Sequence, residues 1–360
     1  MQKILLFTDS LGAGGAQRQL VGLAILLQQT GYNVKVCTYQ NIDFYKNHLD
    51  SHNIENEIIP HSTNKITRIF AITNYIKREN PNWVIAYQET PSLIACISKL
   101  LNCKCKLIVS ERNTTQKMRF KEHIRFFIYR YADFIVPNAY AQEKFLVNRY
   151  KWMKPKIKTI SNFVDLEHFH PLEKRRSQIP NILVVATIWA SKNTLGFIEA
   201  IQKLAAKKIQ FKVQWYGITQ GYENYTEQAQ SLILKYNLHT YIELLPKTQQ
   251  VNTKYQECDY FCLPSFYEGT PNVICEAMAT GRPIICSNVC DNPIYVKEKV
   301  NGFLFNPHSP ESIANAIEKA ITLSDEEYTQ FCHNSRKTAE TLLSSNTFLE
   351  KYIDILENKK

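Results

Sequence analysis

Several things are missing from these 360 residues, and each absence narrows what the chain can be. No apolar run approaches the roughly 20 residues that a membrane-spanning helix needs. The opening Met1-Gln2-Lys3-Ile4-Leu5-Leu6-Phe7 is cut off by Asp9, so it reads as a first strand and not as a signal peptide. The ten cysteines include no C-x-x-C; Cys103-Lys104-Cys105 and the wider pairs Cys258/Cys262 and Cys286/Cys290 lack the paired spacing of zinc sites. Most lie in apolar strand or helix patterns, as at Cys37, Cys96, Cys262, Cys275 and Cys286, where a reduced thiol acts as a small hydrophobe, and this implies a cytosolic compartment. The dinucleotide turn G-x-G-x-x-G is not met, since Gln17 stands where a third glycine should follow Gly12 and Gly14, and no Walker lysine is present.

What remains suffices for two cores. Hydrophobic residues make up 44% of the chain and aromatics 12%, which argues against disorder, and the length suits two domains of roughly 170 residues each. Strand patterns near 3–8, 33–39, 83–87, 105–110, 133–136 and 156–161 alternate with helical patterns near 16–30, 64–79, 91–101, 117–131 and 139–149. Strands near 181–187, 211–216, 240–245, 259–263 and 283–287, with helices near 192–207, 223–236, 247–257 and 271–280, repeat the theme. This order predicts an α/β chain with a parallel sheet in each half: two Rossmann-like domains facing a cleft. Asp165 to Pro180 is polar and aperiodic and reads as the linker, giving domains 1–170 and 171–344. A last helical pattern near 345–358 follows the second domain.

Charge is uneven. Residues 1–170 hold 23 Lys plus Arg against 13 Asp plus Glu, whereas residues 171–360 hold 20 of each, so the whole net charge of +10 falls in the first half. Within it, residues 117–158 carry 11 basic and 3 acidic residues interleaved with Phe120, Phe126, Phe127, Tyr129, Tyr131 and Trp152. A basic, aromatic-rich helix can lie on an anionic membrane surface through Lys117, Arg119, Lys121, Arg125 and Arg130. The alternative is an ordinary α/β helix with a solvated basic face and core phenylalanines. No recognised nucleic-acid motif accompanies the charge, and nucleic acid is not expected as a partner.

The densest motif is Ser265-Phe266-Tyr267-Glu268-Gly269-Thr270-Pro271-Asn272-Val273-Ile274-Cys275-Glu276-Ala277-Met278-Ala279-Thr280-Gly281-Arg282-Pro283. Tyr260-Phe261-Cys262-Leu263 reads as a strand, Thr270 as a helix N-cap and Pro271 as the first helical residue. A helix N-terminus is an anion site that a diphosphate can occupy. Glu268 before the helix and Glu276 in its second turn can accept hydroxyls on opposite sides of that diphosphate, one set on a hexose and the other on a ribose. Taken singly, each reads as readily as a turn residue or an exposed acid.

The segment resembles the signature of the retaining, GT-B-fold glycosyltransferases of group 1, often called family 4. The resemblance implies that Glu268 contacts the sugar and Glu276 the ribose, with Gly269, Thr270, Pro271, Asn272 and Lys247 also at the donor. Gly14-Gly15-Ala16-Gln17-Arg18 resembles the family's Gly-Gly-x-x-Arg, which implies that Gly14, Gly15 and Arg18 face the donor. Val184 to Asn193 resembles the strand, turn and helix that carry an Arg and a Lys for the diphosphate; Lys192 matches the Lys, but Thr187 stands at the Arg. Val109-Ser110-Glu111-Arg112-Asn113 has no His where many relatives place one, so no catalytic His is transferred and Arg112 is a candidate contact for sugar, phosphate or acceptor. The resemblance further implies a last helix crossing back to the first domain, front-side attack with retention, and neither cofactor nor metal. No D-x-D occurs to support a metal-bridged diphosphate. It implies Glu268, Lys192 and Arg18 as catalytic residues, a nucleotide sugar, UDP-linked by family frequency, as donor, and a lipid-linked or other glycan as acceptor in surface polysaccharide synthesis. The basic face adds a cytoplasmic location, peripheral on the inner face of the cell membrane. A nucleotide-sugar epimerase of the same fold and a non-catalytic sugar-nucleotide-binding subunit are the alternatives.

Overall fold

A computed structural model of the chain describes residues 2–61, 63–173 and 175–357. The short apolar runs form parallel strands, because a strand covered by helices on both faces has no polar side to show. In the first half these are β1 Lys3–Phe7, β2 Asn33–Thr38, β3 Glu55–Ile58, β4 Trp83–Tyr87, β5 Lys106–Glu111 and β6 Phe134–Pro137. Between them lie α1 Gly15–Gln29, α2 Lys46–Asp50, α3 Lys65–Glu79, α4 Glu89–Leu100 and α5 Phe120–Ile128, with α6 Tyr140–Arg149 following β6. The second half contributes β7 Asn181–Val185, β8 Lys212–Ile218, β9 Ile242–Pro246, β10 Tyr260–Leu263, β11 Ile284–Ser287 and β12 Gly302–Phe305. Its helices are α7 Thr194–Ala206, α8 Glu223–Lys235, α9 Val251–Glu257, α10 Asn272–Ala279, α11 Asn292–Tyr295, α12 Pro310–Ile321 and α13 Asp325–Leu342; α14 Ser345–Leu356 ends the chain.

The strand orders are β3-β2-β1-β4-β5-β6 and β12-β11-β10-β7-β8-β9, the doubly wound Rossmann order in each sheet. Two units follow, one of Met1–Asn162 with Ser345–Lys360 and one of Phe163–Ser344. The first buries Leu5, Phe7, Val84, Ala86, Leu107 and Val109 against Phe126 and Tyr129. In the second, Ile182, Val184 and Trp215 meet Phe197 and Ile317 on one side, while Leu183, Phe261 and Leu263 meet Ile274 and Met278 in another cluster. Helix α14 packs in the first unit: Phe348, Tyr352 and Ile355 are buried, and the Tyr352 hydroxyl shares a 2.9 Å hydrogen bond with that of Tyr87.

The structure departs from the sequence reading at several places. No strand spans 156–161; only Ile157 bridges to Ile135. The helix expected over 117–131 starts at Phe120, where Glu122 reaches back to accept from the Arg119 backbone N–H, and ends in a 3-10 turn over Tyr129–Tyr131. The stretch read as a linker, Asp165 to Pro180, lies inside the second unit: Phe169 joins its core beside Val164, which donates to the Leu343 carbonyl at 2.9 Å. Among the described residues no helix is long and apolar enough to cross a membrane.

Candidate donor site

Each sheet reverses its winding at one place, between β1 and β4 in the first and between β7 and β10 in the second. There the connections leave neighbouring strands in opposite directions and open a crevice beyond the carboxyl ends, the usual ligand position in open parallel sheets. In the second unit the two segments leaving that point are the turn after β7 and the loop after β10. Gly217 on β8 lets the first of these pass close by: a Cβ there would stand 1.7 Å from the Ala186 carbonyl oxygen, which also accepts from Trp215 Nε1 at 2.7 Å.

The Phe266 N–H donates to the Ser191 carbonyl at 3.0 Å and ties the two segments together. Lys192 ends a 3-10 turn over Ala190–Lys192, and its Nζ lies 2.6 Å from Glu268 Oε1. Their side chains are 27% and 13% exposed, so the pair is within reach of a ligand. Lys192 is not the start of helix α7, as the sequence suggested. Asn193 interposes with φ 56 and ψ 36, a left-handed turn that Asn tolerates better than most residues, and its side chain donates to the Pro307 carbonyl at 2.7 Å.

Helix α10 also begins later than its motif suggested. Pro271 is the N-cap and Asn272 the first helical residue; Thr270 does not cap, because its buried hydroxyl is engaged with Tyr295 at 3.4 Å. Glu276 keeps its place in the second turn. It is 3% exposed and accepts a 2.9 Å hydrogen bond from the Tyr255 hydroxyl, so it is not an exposed acid on an amphipathic helix. Gly269 and Asn272 are half-buried beside it in sequence, whereas Lys247 is exposed on the loop after β9, ahead of a helix that starts only at Val251.

The remaining candidates lie in the first unit. Gly14 is the N-cap of α1, Gly15 its first residue, and Arg18 donates its backbone N–H to the Gly14 carbonyl at 3.0 Å. Asp9 organises this turn: its Oδ1 accepts from the Ser10 N–H at 2.7 Å and from Gln17 Nε2 at 3.1 Å. Arg112, just past β5, is buried at 7% exposure.

Arg125 is removed from the set of cations offered to a membrane. It is buried and bridges Glu89 at 2.8 Å and Glu111 at 3.3 Å, and Phe126 beside it is core. Lys117, Arg119, Lys121 and Arg130 stay exposed, together with Phe120 at 80% and Phe127 at 54%.

Sequence reasoning missed Tyr255, Ser191, Asn193 and Tyr295. Tyr255 follows Val251 by four positions on α9 and packs on Phe261, which reads as core; only its hydroxyl, aimed at Glu276, gives it a second part.

The chain is similar to known glycosyltransferases over most of its length. The family model described as glycosyl transferases group 1 matches residues 168–338, and that described as glycosyltransferase family 4 matches residues 13–168. An uncharacterized glycosyltransferase of Haemophilus influenzae is 26% identical over 98% of each chain. The UDP-Gal:alpha-D-GlcNAc-diphosphoundecaprenol alpha-1,3-galactosyltransferase of Escherichia coli is 28% identical over 57% of this chain and 56% of its own. A glycosyltransferase structure from Rickettsia africae superposes with a TM-score of 0.87 at 19% identity, covering 99% of this chain and 98% of that one, a likeness that shows the shared GT-B fold.

Proposed function

Because the chain belongs to the group 1 glycosyltransferases, we propose that it moves a hexose or N-acetylhexosamine from a UDP-linked sugar to a hydroxyl of a lipid-linked or other glycan in surface polysaccharide synthesis. The reading includes retention of configuration, no metal requirement, and a donor site in the second unit. The observation that carries it is the Lys192–Glu268 pair at the switch point of the second sheet, held there by the Phe266–Ser191 hydrogen bond.

A sugar 1-diphosphate has a good leaving group, so catalysis needs positioning and stabilisation of the departing charge more than a covalent nucleophile. On donor binding, the Lys192 ammonium exchanges the Glu268 carboxylate for a diphosphate oxygen, and Glu268 turns to the sugar hydroxyls. The Glu268 carboxylate, no longer paired with the ammonium, is satisfied by charge-assisted hydrogen bonds from those hydroxyls. The first turn of α10 adds its dipole on the phosphate side. Glu276, with one oxygen held by Tyr255, receives the ribose hydroxyls. The acceptor hydroxyl oxygen then bonds to the anomeric carbon on the face from which the diphosphate leaves, and its proton passes to the leaving oxygen. Gly14, Gly15 and Arg18 are proposed as further donor contacts, with Lys247, Gly269, Thr270, Pro271 and Asn272.

The exposed Phe120 and Phe127 among Lys117, Arg119, Lys121 and Arg130 support peripheral association with an anionic membrane, the surface that presents a lipid-linked acceptor. The test of the donor site is a calorimetric titration of UDP into the full chain and into Glu276→Ala. Wild type should bind, and the variant should bind with a Kd raised by roughly 1.5–3 kcal/mol equivalent, the worth of a charge-assisted hydrogen bond. An unchanged Kd in the variant would remove the ribose assignment.

A further inference from the structure

At the carboxyl edge of the first sheet, β4 and β5 end side by side with Tyr87 in register with Ser110. Arg112 leaves this edge and turns inward. Its guanidinium stacks 4.7 Å over the Tyr87 ring, NH1 donates to Ser110 Oγ at 3.3 Å, and NH2 donates to Asn162 Oδ1. Asn138 Nδ2 donates to the Arg112 carbonyl at 3.4 Å, and Tyr352 closes the group through its hydroxyl contact with Tyr87. Every side chain in this set is neutral. The one carboxylate next to it in sequence, Glu111, is committed elsewhere, accepting from Tyr129 and pairing with Arg125.

Arg112 is therefore a cation 93% withdrawn from solvent, judged by its 7% exposure, with no carboxylate in ion-pair contact among the described residues. Its Nε–H is buried and has no acceptor among the described residues. A guanidinium carries five donor hydrogens in a planar fork, and only two are used here. A buried charge in neutral surroundings is costly unless an opposite charge completes it. An anion with several oxygens in a compact group, a phosphate, matches the unused fork. The place also suits a ligand, since the carboxyl edge of a parallel sheet is where ligands bind.

We propose that Arg112, oriented by Ser110 and Asn162 and stacked on Tyr87, binds a phosphate group of a diphosphate-bearing substrate. The proposal rests on the glycosyltransferase reading for the substrate class. Two substrates can supply the group, the nucleotide sugar and a lipid-linked diphosphate acceptor.

The experiment uses the full chain and calorimetric titration of two probes, UDP and inorganic pyrophosphate, the latter into UDP-saturated protein. Arg112→Gln should weaken one of them by roughly ten- to a hundredfold. Loss of pyrophosphate binding with UDP binding kept assigns the site to the acceptor; loss of UDP binding assigns it to the donor. Arg112→Lys, which keeps the charge and loses the fork, should weaken the same probe by at least roughly threefold, and it decides the matter if the Gln variant does not fold. Unchanged binding of both probes in the folded variants overturns the proposal. Failure of wild type to bind UDP at all would overturn the donor reading instead, and pyrophosphate titrated into ligand-free wild type and variants then decides on Arg112.

Discussion

Glu268 and Glu276 sit eight positions apart in sequence but have different surroundings, and the proposed division of their work rests on this difference. Glu268 is within reach of solvent and paired with a partly exposed ammonium, so it can exchange partners. Glu276 is buried and fixed by Tyr255. Glu268→Ala should lower kcat more than it lowers UDP affinity, because its proposed partner is the sugar and its contribution would belong to the reacting complex. Steady-state kinetics beside UDP titration check this, and equal loss of free-nucleotide binding in Glu268→Ala and Glu276→Ala would refute the division. Tyr255→Phe should raise the UDP Kd by about 0.5–1.5 kcal/mol equivalent, as the carboxylate loses the donor that orients it; a titration that matches wild type would show the hydroxyl to be incidental. Glu268, Glu276 and Lys192 could be singled out as candidates from the sequence because chemistry, spacing and resemblance coincide there. Tyr255 and Asn193 were not, because an aromatic at helical spacing and an Asn before a helix acquire their parts only through tertiary contacts with Glu276 and Pro307.

Whole elements were legible in proportion to how apolar they are. The central strands β1, β4, β7 and β10 stand out because both of their faces are covered, whereas β3, Glu55-Asn56-Glu57-Ile58, went unread because an edge strand carries charge. Its carboxylates do have a purpose: Lys35 on β2, 6% exposed at its side chain, meets Glu55 at 2.7 Å, Glu57 at 3.0 Å and Glu79 at 3.4 Å. The sequence reading also stopped short of β12, α12 and α13, which complete the second unit. Glu79, at the end of α3, is held below the ordinary glutamate range chiefly by its hydrogen bond from Lys3 at 2.9 Å, with Lys35 adding to the effect. A carboxylate whose folded pKa is lowered stabilises the fold above its unfolded pKa, and that contribution is lost as pH falls through the folded value. Melting temperature should therefore drop from about pH 5 downward, and Glu79→Gln, less stable at neutral pH, should drop less over the same window. Parallel curves for the two proteins would contradict this.

For the molecule as a whole, the alternation of strands and helices already implied two Rossmann-like sheets, but the unit boundary at Asn162/Phe163 depends on contacts that no local pattern carries, such as Val164 on Leu343 and the Arg336 guanidinium on the Leu166 and Phe169 carbonyls. Charge asymmetry was legible from composition, though not the loss of Arg125 to a buried ion pair. With Lys117, Arg119, Lys121 and Arg130 exposed on and around α5, sedimentation with anionic vesicles should weaken as salt rises, the Debye length shrinking from about 10 Å at 0.1 M to about 3 Å at 1 M. Replacing three of them by Gln should weaken vesicle binding by about 2–3 kcal/mol while leaving UDP affinity unchanged, since the proposed donor residues of the second unit are untouched. No sedimentation of wild type at low salt would end the membrane reading and favour a soluble acceptor. Glycosyl transfer itself is tested most directly by incubating the full chain with a panel of nucleotide sugars, with and without isolated lipid-linked glycans, and following every species by mass. The account predicts that one sugar is added to the acceptor with release of nucleoside diphosphate, and that without acceptor the donor is at most slowly hydrolysed. Conversion of the donor sugar to its epimer without acceptor, or no change in any donor or acceptor, would contradict it.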